Sequence, residues 1–415
     1  MLLAQNRNFR LFFSATAISN LGDGISALAL PWLATLITRD PFLVGLIAAA
    51  QRFPWLLFAL PAGVVTDRID RRRLIIRADL FRMVLTFGLV SLILSSPPLP
   101  LAEHADAALP MIVGLAAAAF LLGCAEVFRD NAAQTALPQV VEKRDLERAN
   151  GQLWSVEQVM GQFIGPPAAG LLIALAVPLP FVIDAMTFGL AALLLWMVTM
   201  RDVKLGGPKT GFWQQFLEGA EWMRGHKVIL TFAIMLSILN FVTFGSLAIL
   251  VLFSQEILGL SATGHGLLLS AGAAGAVIGS LTGTRLTTAI GGRNVILLSL
   301  AIFPCSYLGL AVSSHAALTG AALMCLWGGG MIWNVVTVSL RQRVIPSDLL
   351  GRVNANYRFL GWGAIPLGTL AMGAMVSLAE PSLGRDLALR LPFFIASLTT
   401  LLLLVFAVLC VRFDD

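Results

Sequence analysis

The chain has 415 residues, 58% of them hydrophobic and 12% charged, with a net charge of +5. A soluble domain carries roughly 25% charged residues, so a soluble enzyme or binding module built on one large core is excluded. The positive balance does not mark a nucleic-acid binder either, because the chain offers neither a soluble basic module nor aromatic residues interleaved with its cations.

The opening residues M-L-L-A-Q-N-R-N hold no apolar h-region and no small-residue cleavage site, so no removable signal peptide is expected and the first span is its own anchor. Apolar runs and breakers predict twelve helices, over 9–37, 42–66, 75–95, 110–137, 148–175, 179–200, 228–256, 262–289, 294–313, 316–340, 351–378 and 388–411. A span takes about 20 mostly apolar residues, so twelve spans leave only short connections. Pro41, Pro97-Pro98, Pro178, Gly291-Gly292 and Pro346 fall at those connections. The longest polar stretch, 201–227, divides the chain into an N-terminal six-helix bundle (1–200) and a C-terminal one (228–415). Phe212, Phe216 and Ala220 recur at helical spacing in it, so part of this linker is expected to lie along the membrane surface. The fold class is therefore all-α integral membrane, with twelve transmembrane helices in two six-helix bundles.

The turn G-V-V-T-D-R-I-D-R-R-R-L-I-I-R at 63–77 packs arginines between two spans, and such turns stay on the cytoplasmic side. Starting from a cytoplasmic N-terminus, 21 of the 28 Lys and Arg fall in cytoplasmic loops or helix ends. Three lie outside (Arg39, Arg385, Arg390) and four within spans (Arg52, Arg82, Arg129, Arg358). Both termini are then cytoplasmic. The two halves also echo each other: Pro138 to Asn150 and Pro346 to Asn354 share Pro, Asp-Leu, Arg and Asn in one order, each followed by a Gly- and Pro-rich helix. Such duplication is the layout of many secondary transporters.

A charge inside a bilayer costs several kcal/mol and needs a partner, water or a task. Asp23 and Arg52 fall at equal depth on consecutive antiparallel spans and are expected to pair, either as a static ion pair or as a protonation switch. Glu126, Arg129 and Asp130 share one face of the fourth span, where Arg129 could pair internally. Glu157 stands about nine residues into the fifth span, Asp184 is expected in a solvated position near the outer end of the sixth, and Asp79 and Arg82 at the cytoplasmic interface. Helices seven to twelve carry almost no buried acid and offer Asn240, Trp333, Asn334 and Arg358 instead; with Asn20, Asp130 and Glu157 these are the candidate cavity residues. No phosphate-binding loop, metal-ligand spacing or catalytic triad is present, the four cysteines sit in apolar runs, and no cofactor is expected.

These residues resemble the major facilitator superfamily. The stretch Gly63-V-V-T-Asp67-Arg68-I-D-Arg71-Arg72-Arg73 is similar to that family's loop between helices two and three, with Asp70 where the family usually has Gly. Gly161-x-x-x-Gly165-Pro166-x-x-x-Gly170 resembles the antiporter motif of proton-coupled drug exporters, with Ala169-Gly170 in place of its terminal Gly-Gly. N-L-G-D-G-I-S-A-L-A-L-P and D-L-E-R-A-N-G are similar to the branch of macrolide-efflux proteins and the enterobactin exporter. The resemblance implies two bundles rocking around a central cavity and exchange of cytoplasmic substrate for external protons. It implies that Asp67 closes a cytoplasmic gate against the start of the eleventh helix near Gly351, braced by Arg68 and Arg72, with Gly63 in the same motif. Arg129 matches the place of a basic residue linked to proton transfer, while Asp23, Glu126 and Arg52 follow from depth alone.

The expected function is export of amphipathic, drug-like small molecules by proton antiport, from the inner membrane of a bacterium. The alternatives are a carrier of a siderophore or a lysophospholipid and, remotely, a non-transporting scaffold or receptor. The expected partners are a small-molecule substrate, protons and the lipid bilayer, with no nucleic acid, no metal and a monomeric state.

Overall fold

A computed structural model describes residues 2–101, 107–201, 212–346 and 349–410; the side chains of Ala59, Leu60, Val64, Asp67, Arg68, Phe212 and Cys410 lie outside the described set. A single turn, Leu2–Gln5, precedes α1 (Arg7–Ile37), followed by α2 (Pro41–Arg68), α3 (Arg71–Leu94) and α4 (Ala108–Val140). The fifth long helix, α5, consists of Leu146–Glu157, a wide π segment Gln158–Ile164, and Gly165–Leu175. Then come α6 (Leu179–Trp196), α7 (Phe212–Gly225), α8 (Lys227–Glu256), α9 (Ala262–Ile290), α10 (Gly292–Val312), α11 (Ala316–Val344), α12 (Leu350–Leu383) and α13 (Arg385–Cys410). Among the described residues, twelve helices besides the short α7 reach membrane-spanning length, and eleven of them are also apolar enough to cross. The exception is α3, in which Arg77, Asp79 and Arg82 interrupt the apolar run.

Helix ends follow local chemistry. The Asn6 side chain accepts from Phe9 N at 2.9 Å and starts α1. Asp70 accepts from Arg73 N at 2.9 Å and starts α3, so the departure from the family's glycine supplies an N-cap. The matching connection in the second half turns at Gly291, whose φ of +80° disfavours any side chain.

The chain divides into two compact units. Unit 1 comprises residues 1–39, 50–209 and 261–267; unit 2 comprises 40–49, 210–260 and 268–415. In unit 1, α1 packs on α6 and α5, and α3 lies between α4 and α6. In unit 2, α8 packs on α12 and α13, α10 joins α11 and α13, and α7 lies along α12. Glycines allow these helices to approach backbone to backbone. A Cβ on Gly165 would sit 2.6 Å from Cα of Gly24, and one on Gly279 would sit 3.0 Å from Cα of Gly328. The first nine residues of α2, 41–49, belong to unit 2, where the Ser377 hydroxyl on α12 donates to Asp40 at 2.7 Å.

Candidate functional site

Unit 1 holds a chain of alternating acids and bases inside its helices. Arg82 on α3 forms an ion pair with Asp23 on α1 and lies 3.9 Å from Asp79, one turn back on its own helix. Asp79 lies 3.5 Å from Arg129 on α4, and Arg129 reaches Asp130 at 3.2 Å. The order is therefore Asp23, Arg82, Asp79, Arg129, Asp130. Arg82, Asp79 and Arg129 are buried, while Asp23 and Asp130 keep 26% and 31% of their side chains accessible. The Arg82 guanidinium also stacks 3.9 Å above the Phe188 ring of α6, a contact that fixes its direction as well as its charge. Both carboxylate oxygens of Asp79 are buried without a hydrogen-bond partner, so this acid is held by charge alone.

Two further groups flank the chain. Glu126 on α4 pairs with Arg52 on α2 at 3.9 Å. Asp184 on α6 is fully buried and accepts the Ser26 hydroxyl of α1. Taken together, three arginines face five carboxylates in this part of the unit, among the described residues. Such an excess of acids can be discharged only by water or by protons.

This arrangement changes several expectations. Asp23 pairs with Arg82 and not with Arg52, because α1 packs against α5 and α6 while consecutive position in the chain does not make α2 its main neighbour. Asp79 and Arg82 are buried between helices and not interfacial, and Asp184 is sequestered in place of a solvated position. Of Glu126, Arg129 and Asp130, Arg129 pairs with Asp130 on its own helix as well as with Asp79 on α3, while Glu126 pairs across to Arg52 on α2. Arg72 donates to the carbonyls of Leu195, at 3.0 Å, and Trp196, so it closes the end of α6. The side chains of Asp67 and Arg68 lie outside the described residues, and a Cβ on Gly63 or on Gly351 would meet nothing within 4 Å.

The antiporter-like stretch begins in the π segment of α5 and runs on into the regular helix after it. Gly161 lies within it, Gly165 meets Gly24, Pro166 is buried, and a Cβ on Gly170 would be 2.6 Å from Cα of Thr263. The remaining candidates disperse. The Asn20 amide bonds back to Thr16 O of its own helix at 2.8 Å. Glu157 is exposed and has no ion-pair partner among the described residues. In unit 2, Asn240 ties α8 to the Gly361 carbonyl of α12 at 2.8 Å, and Trp333 is buried against Phe232 at 5.5 Å between ring centres. Asn334 and Arg358 are exposed, Arg358 over the Trp362 ring at 4.4 Å. Asp79 and Arg82 are the functional candidates hardest to find. Their sign in the sequence is the pair of opposite charges one turn apart in a span that fails on hydropathy.

Comparison with known proteins fits a transporter. The sequence model of a family described as "Transmembrane secretion effector" matches residues 3–412. The enterobactin exporter EntS of Salmonella choleraesuis strain SC-B67 is 25% identical over 403 residues, covering 92% of this chain and 88% of that protein. The multidrug efflux pump Tap of Mycobacterium tuberculosis strain H37Rv is 28% identical over 187 residues, 44% of this chain and 42% of that one. Among solved structures, the nucleoside transporter NupG superposes with a TM-score of 0.73 at 11% identity, over 97% of this chain and 98% of that one. A D-xylose-proton symporter gives 0.75 at 13% identity, over 98% of each chain. At those identities the likeness shows the fold, that of the major facilitator superfamily.

Proposed function

The chain belongs to the transmembrane secretion effector family of the major facilitator superfamily, and we propose that it exports amphipathic, drug-like small molecules by proton antiport and alternating access. The observation that supports this is the buried chain Asp23, Arg82, Asp79, Arg129, Asp130 with Arg52–Glu126 beside it. A static scaffold gains little from such a network, because apolar side chains of similar size would serve stability as well or better. A carrier gains a switch. A proton taken up by Asp23 or Glu126 removes the charge that holds Arg82 or Arg52, and the freed guanidinium favours a different packing of its helix.

The energy scale agrees with more than one site. Moving a two-state equilibrium from 1:99 to 99:1 takes about 5.5 kcal/mol, more than one neutralised pair supplies. Asp23 and Glu126 are therefore read as two coupled proton sites, Asp23 on the chain that runs through Arg82 and Asp79 to Arg129, and Glu126 paired with Arg52 one turn before Arg129 on α4. On this reading the termini and the 63–77 turn are cytoplasmic, the protein sits in a bacterial inner membrane as a monomer, and 1–200 and 228–415 move as bundles about the 201–227 linker. Gly165 against Gly24 keeps α5 and α1 sealed together while the rest of the unit moves. Gly63 and Arg72 belong to the cytoplasmic gate motif, Arg72 through the end of α6.

A second cargo is favoured by one comparison: the relative that spans nearly the whole chain is named an enterobactin exporter, while the one named a multidrug pump matches less than half. A siderophore is therefore the alternative substrate. The test is uptake into inverted vesicles or proteoliposomes under an imposed pH gradient, with a drug panel and a siderophore. Asp23→Asn and Glu126→Gln together should abolish accumulation driven by the gradient; accumulation unchanged in both variants removes the antiport reading.

A further inference from the structure

Unit 2 matches several of its arginines with acids. Arg352 meets Glu218 at 2.7 Å, Arg385 meets Glu256 at 2.7 Å and Glu380 at 2.8 Å, and Arg390 meets Asp386 at 3.0 Å. Arg224, Arg285, Arg341, Arg343 and Arg358 have no such acid among the described residues, and two of these, on consecutive helices, are stacked on aromatic rings. Arg341, in the last turn of α11, and Arg358, about two turns into α12, have no carboxylate within 4.0 Å among the described residues. Their partners are aromatic or neutral. Arg341 lies 4.0 Å over the Tyr357 ring, donates to Asn354 Oδ1 at 2.8 Å and to Thr337 O at 3.3 Å. Arg358 stacks 4.4 Å over Trp362 and makes no hydrogen bond to the described chain.

The two are built differently, and the difference is informative. Arg341 is half-buried and aimed by three contacts, which leave its second terminal nitrogen uncommitted. Arg358 is exposed, and its planar group is oriented by the indole while all five donors stay open. Asn354, which accepts from Arg341, stands one turn before Arg358 on α12, and Tyr357 directly precedes Arg358. Stacked, donor-rich guanidiniums with no carboxylate within 4.0 Å among the described residues suit carboxylate, phenolate or phosphate oxygens. Trp362, 37% exposed, adds an apolar shoulder beside that receptor. Snorkelling to the membrane interface accounts for an exposed Arg358, but it does not account for Arg341, whose guanidinium is directed onto the buried Tyr357.

We propose that Arg341 and Arg358, with Tyr357 and Trp362 behind them, form an anion subsite that takes the negatively charged oxygens of the exported molecule. This rests on the transport reading above and adds to it a substrate class: an anionic head on an apolar or aromatic body. On the proposed orientation the subsite lies towards the cytoplasmic ends of α11 and α12, where cargo for export would be captured. The acids of unit 1 then handle protons, and these two stacked arginines of unit 2 handle the cargo.

The test uses the full chain in phosphatidylcholine nanodiscs and two probes of similar size, 2-naphthoate and 2-naphthylmethylammonium, with binding read by equilibrium dialysis. Naphthoate should bind more tightly, and Arg358→Gln should weaken it by about tenfold or more, the usual loss for one charged hydrogen bond. Arg358→Lys should lose less, Arg343→Gln on the exposed end of α11 less than about twofold, and the ammonium probe should bind no worse to any variant. Arg341→Gln should act like Arg358→Gln. If it fails to fold, the two Arg358 variants decide, because Arg358 gives up no hydrogen bond or ion pair on substitution. Equal naphthoate binding by wild type and Arg358→Gln, or no binding by wild type, overturns the subsite. So does a result in which the arginines govern only retention of phosphatidylglycerol in mixed-lipid nanodiscs, since the anion would then be a membrane headgroup. Arginine-dependent naphthoate binding without flux of either probe in proteoliposomes keeps the subsite and removes the transport reading.

Discussion

Asp23 has two conceivable arginine partners, and a pair of double-mutant cycles tells them apart. The structure pairs it with Arg82, whose side chain is 4% accessible while that of Asp23 is 26%. Removing one member of a buried pair costs about 3–5 kcal/mol, because the other charge stays buried alone. The partial accessibility of Asp23 places Arg82→Gln at the lower end, about 3 kcal/mol, part of it from the lost stacking on Phe188. Asp23→Asn should cost less than Arg82→Gln, because Arg82 keeps Asp79 at 3.9 Å. Combining the two should recover at least about 1 kcal/mol relative to the sum, whereas Asp23→Asn with Arg52→Gln should be additive within about 0.5 kcal/mol. The assay is reversible unfolding of the purified protein in mixed micelles, titrated with denaturing detergent and followed by tryptophan fluorescence. A larger coupling for the Asp23 and Arg52 cycle than for the Asp23 and Arg82 cycle would refute the network.

Three further substitutions probe its surroundings. Gly165→Val places a Cβ 2.6 Å from the backbone of Gly24, where neither helix can yield locally; a loss of about 3 kcal/mol or of folded protein is expected, seen as a lower melting temperature on size-exclusion chromatography. Gly63→Ala, with nothing within 4 Å of the new carbon, should be neutral or stabilising by up to about 1 kcal/mol in the same measurement. Arg72→Ala frees the carbonyls of Leu195 and Trp196 and should raise amide exchange across the last turn of α6 about tenfold, with unchanged exchange in α4.

The spans and the family are legible because hydropathy and charge asymmetry are properties of segments. Runs such as 228–256 and 388–411 read as membrane helices on composition alone, and the structure has them as Lys227–Glu256 and Arg385–Cys410. Pairing inside the bundle is less legible, because it depends on which helices touch. Equal depth suggests Asp23 and Arg52, yet depth is one coordinate, and rotation about each helix decides whether two side chains meet. Asp79 is misplaced for a related reason: distance from a helix end suggests headgroups, while burial comes from α4 packing over it with Arg129. The charge density of 63–77 predicts a turn but not that Asp70 caps the next helix or that Arg72 reaches across to α6.

The wide segment in α5 shows how one local conflict can shape a site. Pro166 and Pro167 stand side by side within a helix, and neither has an N–H to give to the carbonyl four residues back, on Gln162 or Phe163. Their rings also crowd those carbonyls. The chain answers by widening the preceding turns: the Gly165 amide reaches back five residues to Met160 O. Widening costs hydrogen-bond geometry and is retained in proteins chiefly where function uses it. Here it advances the register between Glu157 and Gly165, so the polar half of α5 and its glycine half present faces that a regular helix would not align. Gly165 can then lie on Gly24, directly after Asp23 in α1. The prolines, the wide turn and the glycine contact thus form one device that holds α5 against the helix bearing the first acid of the network. Replacing Pro166 and Pro167 together by Ala should restore a regular helix, rotate Gly165 off Gly24 and weaken the Asp23 and Arg82 coupling measured by the cycle above. Unchanged coupling in that background would separate the wide turn from the charge network.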